Sequence, residues 1–266
     1  MIETSRMLAL RLDDVGASSK KYEVYSNWRF GRGRLAVSGN WLWLKYIRPF
    51  KRWGPYREMT AIEWENIYSL LEKHNAKLTV AITAAWVTDE HSLTPFPQQF
   101  PEEASVLKDG LSAGLLEIAN HGLTHCVIEN NSFKPKLFSS NRIFHREFWE
   151  WIPENIQLDH MQRSQDILQK WFATDIVTFV PPGNIFCDAT VRIAEKCGLY
   201  YLSCNTPSRI DGDMTIIGNE NTFAFHDRDI VLRGVSWFRD YLESAADSDL
   251  ITTGEMAAST KVRLST

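Results

Sequence analysis

The sequence predicts an α/β fold, a mainly parallel sheet with helices outside it. Two observations carry that expectation. Short β-branched or apolar runs alternate with helix-length amphipathic stretches. Polar clusters also close the apolar runs at their C-terminal ends: Asp13-Asp14, His121, Pro182-Gly183 and His226. Parallel sheets and barrels place their active sites at such ends. A chain of 266 residues with 44% hydrophobic content can bury a sizeable core. It is expected to form a single domain over 1–266.

The elements follow in order. Leu8 to Val15 reads as a buried first strand that ends in charge. A helix opens at Thr60, where Thr60-Ala-Ile-Glu63 fits a capping box, and Ile62, Ile67, Leu70 and Leu71 give it an apolar face through Lys73. Lys77 to Thr83 is β-branched and forms the second strand. Prolines 95, 97 and 101 punctuate a loop before a helix from Glu102 to Ala113, which Gly114 ends. Leu115 to Ala119 is a third strand, leading into Asn120-His121-Gly122-Leu123-Thr124-His125. After an aromatic loop, a helix spans Glu154 to Phe172 and a strand spans Ile176 to Val180. Asp188 is placed as the cap of a helix running to Lys196. Tyr200 to Cys204 and Thr222 to Phe225 are further strands, and Trp237 to Ala245 is helical. Nothing is legible after Thr252.

Composition excludes several classes. No run of eighteen apolar residues occurs, so no transmembrane segment is expected, although peripheral membrane contact stays open. Met1 to Arg11 lacks the apolar stretch of a secretion signal, which points to a cytoplasmic protein. Cys126, Cys187, Cys197 and Cys204 form no CxxC pair and read as free, mostly buried thiols. The formal charge of −4 hides a basic, tryptophan-rich insertion at 28–58, between the first strand and the first helix. It carries eight basic residues (Arg29, Arg32, Arg34, Lys45, Arg48, Lys51, Arg52, Arg57) against Glu58 alone, with Trp28, Trp41, Trp43 and Trp53. A pI near 6.0 argues against nucleic acid as a partner.

His121 and His125 stand at i and i+4, which puts them on one face if the intervening turn is helical. Two imidazoles and a carboxylate from another strand end make three ligands for a divalent cation. The adjacent acids Asp13 and Asp14 end an apolar strand, where two carboxylates are costly unless a cation or strong donors compensate. Two ordinary histidines and a solvated strand end are the bland alternatives. The same ligand types also serve non-haem iron oxygenases. His145 and His160 read as surface histidines, and Glu147 either reaches the cleft or is an exposed charge.

Taken together, these segments resemble the polysaccharide deacetylase family, carbohydrate esterase family 4, with its chitooligosaccharide deacetylase homology domain. Leu10-Arg-Leu-Asp13-Asp14-Val-Gly16 is similar to the family's first motif, with Val15 inserted before the glycine. Glu117 to His125 is similar to the second motif, Phe179-Val180-Pro181-Pro182-Gly183 to the third, and Phe223 to Asp227 to the last. The resemblance implies a distorted (β/α) barrel of about seven strands forming one catalytic domain. It also implies a metal-dependent hydrolase that removes N-acetyl or O-acetyl groups from a sugar or polysaccharide precursor. Asp14, His121 and His125 would hold the metal, Zn2+ with Co2+ or Ni2+ able to substitute. Asp13 would be the base, His226 would protonate the leaving amine, and Gly183 with Pro182 would serve the oxyanion.

Two departures stand out. Val180 replaces the family's arginine, which orients the catalytic aspartate, and Arg11 is the positional candidate to replace it. The family's Asp-x-x-Asp-Trp motif is missing after Tyr201, so the carboxylate partner of His226 is unassigned. Arg11, Trp43, Arg48 and Trp53 are the substrate-binding candidates, because aromatic faces and guanidinium forks suit an anionic glycan or a sugar on a phosphate carrier. An ordinary solvated loop is the alternative for this insertion. A cytoplasmic member would meet precursors of lipopolysaccharide or capsule. The alternative function is a catalytically silent carbohydrate-binding protein that retains the metal site.

Overall fold

The computed structural model describes residues 6–21, 24–33, 36–52, 54–89, 92–126, 136–140, 146–205 and 212–265. Its centre is a parallel sheet of β1 (Arg6–Val15), β2 (Leu78–Ile82), β3 (Leu116–Asn120), β4 (Thr178–Phe179), β5 (Tyr201–Cys204), β6 (Thr215–Gly218) and β7 (Thr222–His226). The strands run in the order β6-β5-β4-β3-β2-β1-β7, and β8 (Ser248–Ile251) pairs with the first half of β1. The result is a nearly closed barrel of seven parallel strands, as the family resemblance implied.

Side chains alternate across each strand. Leu10, Leu12, Leu78, Val80, Ile82, Leu116 and Ile118 point outward, into one core with Ile67 and Leu71 of α1 (Ala61–Lys73), Leu107 of α2 (Pro101–Ser112) and Met161 and Leu168 of α3 (Glu154–Phe172). The opposite faces pack small residues, Ala81, Ala119 and Val180, inside the barrel. The capping box at Thr60 forms as read from the sequence. The cap of α4 (Asp188–Lys196) shifts by one residue: Cys187 is the N-cap and Asp188 the first helical position. α5 (Asp227–Arg233) and α6 (Val235–Ser244) follow β7.

Strands β6 and β8 and the helices α5 and α7 (Thr253–Ser265) were not anticipated. Helix α7 gives little amphipathic signal because most of its buried positions are small: Thr252, Thr253 and Ala257 are buried beside Met256, and Gly254 is partly so. Its position depends on polar groups. The Thr253 amide donates to Thr79 Oγ1 at 2.7 Å, and the Gly254 amide donates to Glu117 Oε2 at 2.9 Å. Glu117 also accepts from the hydroxyls of Thr79 and Thr178. A carboxylate thus sits at a helix N-terminus, where the backbone dipole favours negative charge. No described helix is long and apolar enough to cross a membrane.

Glu117→Ala leaves two hydroxyls and one amide without their acceptor. It is expected to lower unfolding free energy by about 1–3 kcal/mol, measured by urea denaturation.

Candidate metal centre and its surroundings

Successive side chains on a strand point to opposite faces, so Asp13 and Asp14 would ordinarily diverge. The register of β1 against β2 breaks between Leu12 and Val15, and Asp14 takes a left-handed backbone with φ of 70°. Aspartate tolerates that conformation better than most residues. The bulge turns the Asp14 carboxylate toward two imidazoles, while Asp13 stays in register beside His226 of β7.

His121 is the first residue after β3, and its amide bonds Ile82 O at 3.0 Å. The turn from His121 to His125 is not helical, contrary to the condition attached to the i, i+4 spacing. Gly122 and His125 both have positive φ, 80° and 56°, and they fold the loop so that the rings lie 4.8 Å apart. A Cβ on Gly122 would stand 2.3 Å from Glu147 Oε2, so only glycine fits there.

Asp14 Oδ1 lies 3.3 Å from His121 Nε2 and 3.0 Å from His125 Nε2. All three residues are buried, and their donor atoms lie within 4.8 Å of one another. His121 Nδ1 is 2.7 Å from Val180 O, and a carbonyl can only accept, so Nδ1 carries a proton. Nε2 then faces a carboxylate that can only accept, so either a proton or a cation lies between the two atoms. His125 Nδ1 is held by Ser19 Oγ at 3.1 Å. Metal-binding histidines are characteristically oriented through the other ring nitrogen in this way. The donor set therefore fits a divalent ion with open positions. Burial opposes ionisation of Asp14, but His125, His226 and His121 outweigh it and hold the carboxyl well below its usual range.

Asp13 does not join the three clustered side chains. Arg11 grips it from two residues back: Nε to Oδ1 and Nη2 to Oδ2, each 2.9 Å. Arg11 Nη1 donates to Ser203 Oγ at 2.7 Å. Val180, at the expected arginine position, packs against Ala81 and Ala119. The guanidinium thus comes from β1 and is braced by β5. Arg11 is 1% exposed and committed to these partners.

His226 ends β7 with Nε2 4.0 Å from Asp14 Oδ2. Its unassigned carboxylate partner is Asp229, one helical turn on. Asp229 Oδ2 lies 3.8 Å from His226 Nδ1 and accepts the His226 amide at 3.1 Å. His226-x-x-Asp229 was the visible signal, a capping pattern that opens α5. Burial opposes charge on His226, but Asp14, then Asp229 and Asp13, raise its pKa to about 9.

The next residue, Asp227, is fully buried and paired with Lys20, which also meets Glu58 at 2.6 Å. Tyr56 donates to Asp227 at 3.1 Å, and Glu58 accepts the Gly16 amide at 3.0 Å. Burial opposes the Lys20 charge, but the two carboxylates keep it protonated. The end of the insertion is thereby tied to the loop that carries Ser19.

Pro182 is buried against Gly122, and Gly183 stands exposed on the rim with φ of 64°. Trp43, 63% exposed, and Arg48 lie on the surface of the insertion; Trp53 and His145 lie outside the described residues. Lys45 is buried and bonds the carbonyls of Lys136 and Ser139 (the latter at 2.9 Å), which joins the insertion to the loop after His125. Burial pushes the Cys126 thiol up, and it packs against Val87. Two expectations need correction. His160 is 3% exposed and Glu147 1% exposed, so neither is a surface group nor open to the cleft.

The chain is thus a parallel α/β barrel with a buried Asp-His-His cluster at the C-terminal ends of its strands. The family model described as polysaccharide deacetylase matches residues 58–202, more than half of the chain, so this protein belongs to the polysaccharide deacetylase family. Among solved structures, a protein from Mycobacterium smegmatis described as a polysaccharide deacetylase shares the fold, with TM-score 0.54 and 11% identity over 76% of this chain and 78% of that one. The BpsB deacetylase domain from Bordetella bronchiseptica gives TM-score 0.46 and 13% identity over 83% and 96%. A CE4 family pseudoenzyme from Bacillus anthracis gives 0.47 and 15% over 75% and 62%, so this chain spans under two thirds of that protein's length. No curated protein sequence matches the chain.

A raised folded-state pKa makes the His226 contribution to stability complete below the unfolded value near 6.5. It is lost as pH rises through about 9. In metal-free protein, an NMR titration should therefore find His226 titrating near 9. Adding zinc should lower that value, because a cation on Asp14 cancels the field that raises it. A titration near 6.5 in the metal-free protein would contradict the close approach of Asp14.

Proposed function

We propose that the chain is a metal-dependent hydrolase that removes N-acetyl, or less often O-acetyl, groups from a sugar or glycan. The observation that carries this reading is Asp14 Oδ1 within 3.0–3.3 Å of two imidazole Nε2 atoms, with a second carboxylate beside it on its own arginine. Asp14, His121 and His125 are the proposed ligands of a divalent ion, zinc first and cobalt or nickel as substitutes. Such an ion lowers the pKa of a bound water from about 15.7 toward roughly 7.

The chain's own residues then have distinct tasks. Asp13, oriented by Arg11, takes the proton of the attacking water. Oxygen adds to the acyl carbon, and the Gly183 amide, set by Pro182, donates to the oxyanion. As the C–N bond breaks, His226 passes its proton to the departing nitrogen, which leaves as the free amine with acetate as coproduct. The carboxylates of Asp229 and Asp13, which also favour charge on His226, support its reading as the acid. Residues 1–266 are proposed to act as one catalytic domain.

For substrate, the basic and aromatic insertion supports one wall of the cleft, because it ends at Glu58 on the loop carrying Ser19 and is pinned by Lys45 to the loop after His125. Trp43 offers an exposed face for a sugar ring, and Arg48 offers a fork for an anionic group. The finer reading is a cytoplasmic enzyme acting on anionic or phosphate-carrier-linked precursors of lipopolysaccharide or capsule.

Acetate release from N-acetylated sugars should vanish on chelation and return with zinc. Asp13→Asn and His226→Ala should each lower kcat by about 10²–10⁴-fold with zinc still bound. Glycan binding without acetate release, across a varied panel, would instead establish a silent binding protein that keeps the site. Charge reversal at Arg48, Lys51 and Arg52 should raise KM for an anionic substrate and spare metal content. An unchanged KM would remove the insertion from the binding site.

A further inference from the structure

Glu147 is buried directly beneath the loop that carries the two histidines. Its carboxylate accepts three consecutive backbone amides: Leu123 at 2.9 Å, Thr124 at 3.2 Å and His125 at 2.9 Å. From the other side, His160 Nδ1 of α3 meets Glu147 Oε1 at 2.5 Å. A neighbouring pair completes the cradle. Asn120 Oδ1 accepts the Gly122 amide at 2.8 Å, and its side-chain nitrogen bonds Ser164 Oγ and Gln165 Oε1 of α3. Every amide from Gly122 to His125 is thus held by a side chain anchored on, or braced by, one helix.

The loop needs this support. Two of its carbonyls accept from Ala84 and Ala85, but its amides from Gly122 to His125 bond only side chains, and it holds His125 in a left-handed conformation that a non-glycine residue adopts at a cost. Successive amides that point to one centre form an anion-binding concavity, and here the protein fills it with its own carboxylate. Relaxation of the loop would swing the His125 ring away from Asp14, because backbone and imidazole are fixed by separate partners, Glu147 and Ser19.

We propose that Glu147, oriented by His160, is a positioning residue that sets the metal affinity of the Asp14-His121-His125 cluster by holding His125 in its ligating conformation. This rests on the metal-site reading above. Glu147 touches neither the cluster's donor atoms nor any group that would meet substrate.

The experiment measures zinc affinity of the full chain by competition with a chromophoric chelator. Glu147→Gln replaces an acceptor oxygen with a donor facing backbone amides, and zinc affinity is expected to fall by about 10–100-fold, the range for groups that orient metal ligands. Glu117→Gln is the control: a comparable carboxylate on a helix N-terminus, among Thr79, Thr178 and Gly254, that should destabilise the fold and leave affinity unchanged. If Glu147→Gln fails to fold, His160→Leu and His160→Asn decide the matter. Asparagine can keep a donor where histidine Nδ1 stands, so it should retain affinity, whereas leucine should lose it. Wild-type affinity in Glu147→Gln, or in His160→Leu, would overturn the proposal, as would an equal loss in Glu117→Gln. If the wild-type chain itself binds no zinc, the metal-site reading fails and this one with it.

Discussion

The meeting of one carboxylate with two imidazole nitrogens at the mouth of the barrel is the constraint on which the surrounding structure depends. Asp14, His121 and His125 are each almost inaccessible to water, so their mutual arrangement cannot be relaxed by solvent. The backbone absorbs the strain of bringing them together, in left-handed conformations at Asp14, Gly122 and His125. Such local strain persists only where neighbouring structure over-determines it. That over-determination is visible in Val180 O on His121, Ser19 on His125 and Glu147 on the loop between them.

A second layer of buried ionisable groups surrounds this centre, and each has a partner. Arg11 is spent on Asp13 and Ser203, and Lys20 on Glu58 and Asp227. Removing one partner of such a pair leaves an uncompensated buried charge, which typically costs about 3–5 kcal/mol. The same pairs join distant stretches of chain: β1 to β5, and the loop after β1 to both the insertion and the start of α5. They explain how a strand end so rich in ionisable groups can remain in one geometry.

Val180 stands where the family resemblance leads one to expect an arginine. The arginine expected beside the third motif is absent, and its place is taken by an apolar contact with Ala81 and Ala119. Arg11 supplies a guanidinium from the strand that carries Asp13, two residues away and on the same face by the period of a strand. Asp229 likewise supplies His226 with a carboxylate from the adjoining helix turn. Both replacements are local in sequence, which is why their positions could be read, or at least searched for, before the fold was known.

The sequence by itself determined the alternation of strands and helices, the strand ends that carry Asp13, Asp14, His121 and His226, and the capping box at Thr60. These are local features, written in side-chain period and in residues with strong conformational preference. It could not reveal α7, whose small buried residues carry no clear period, or the short strands β6 and β8, whose pairing is with distant segments. Nor could it show that Glu147 and His160 are interior, since a lone charge and a histidine on a polar helix look like surface groups until their partners are known. Only the tertiary structure decided that the turn from His121 to His125 is a left-handed bend, and that a bulge turns Asp14 toward it. The physical reason is range: hydrophobic period acts over a few residues, whereas matching a buried charge requires groups brought together from opposite parts of the chain.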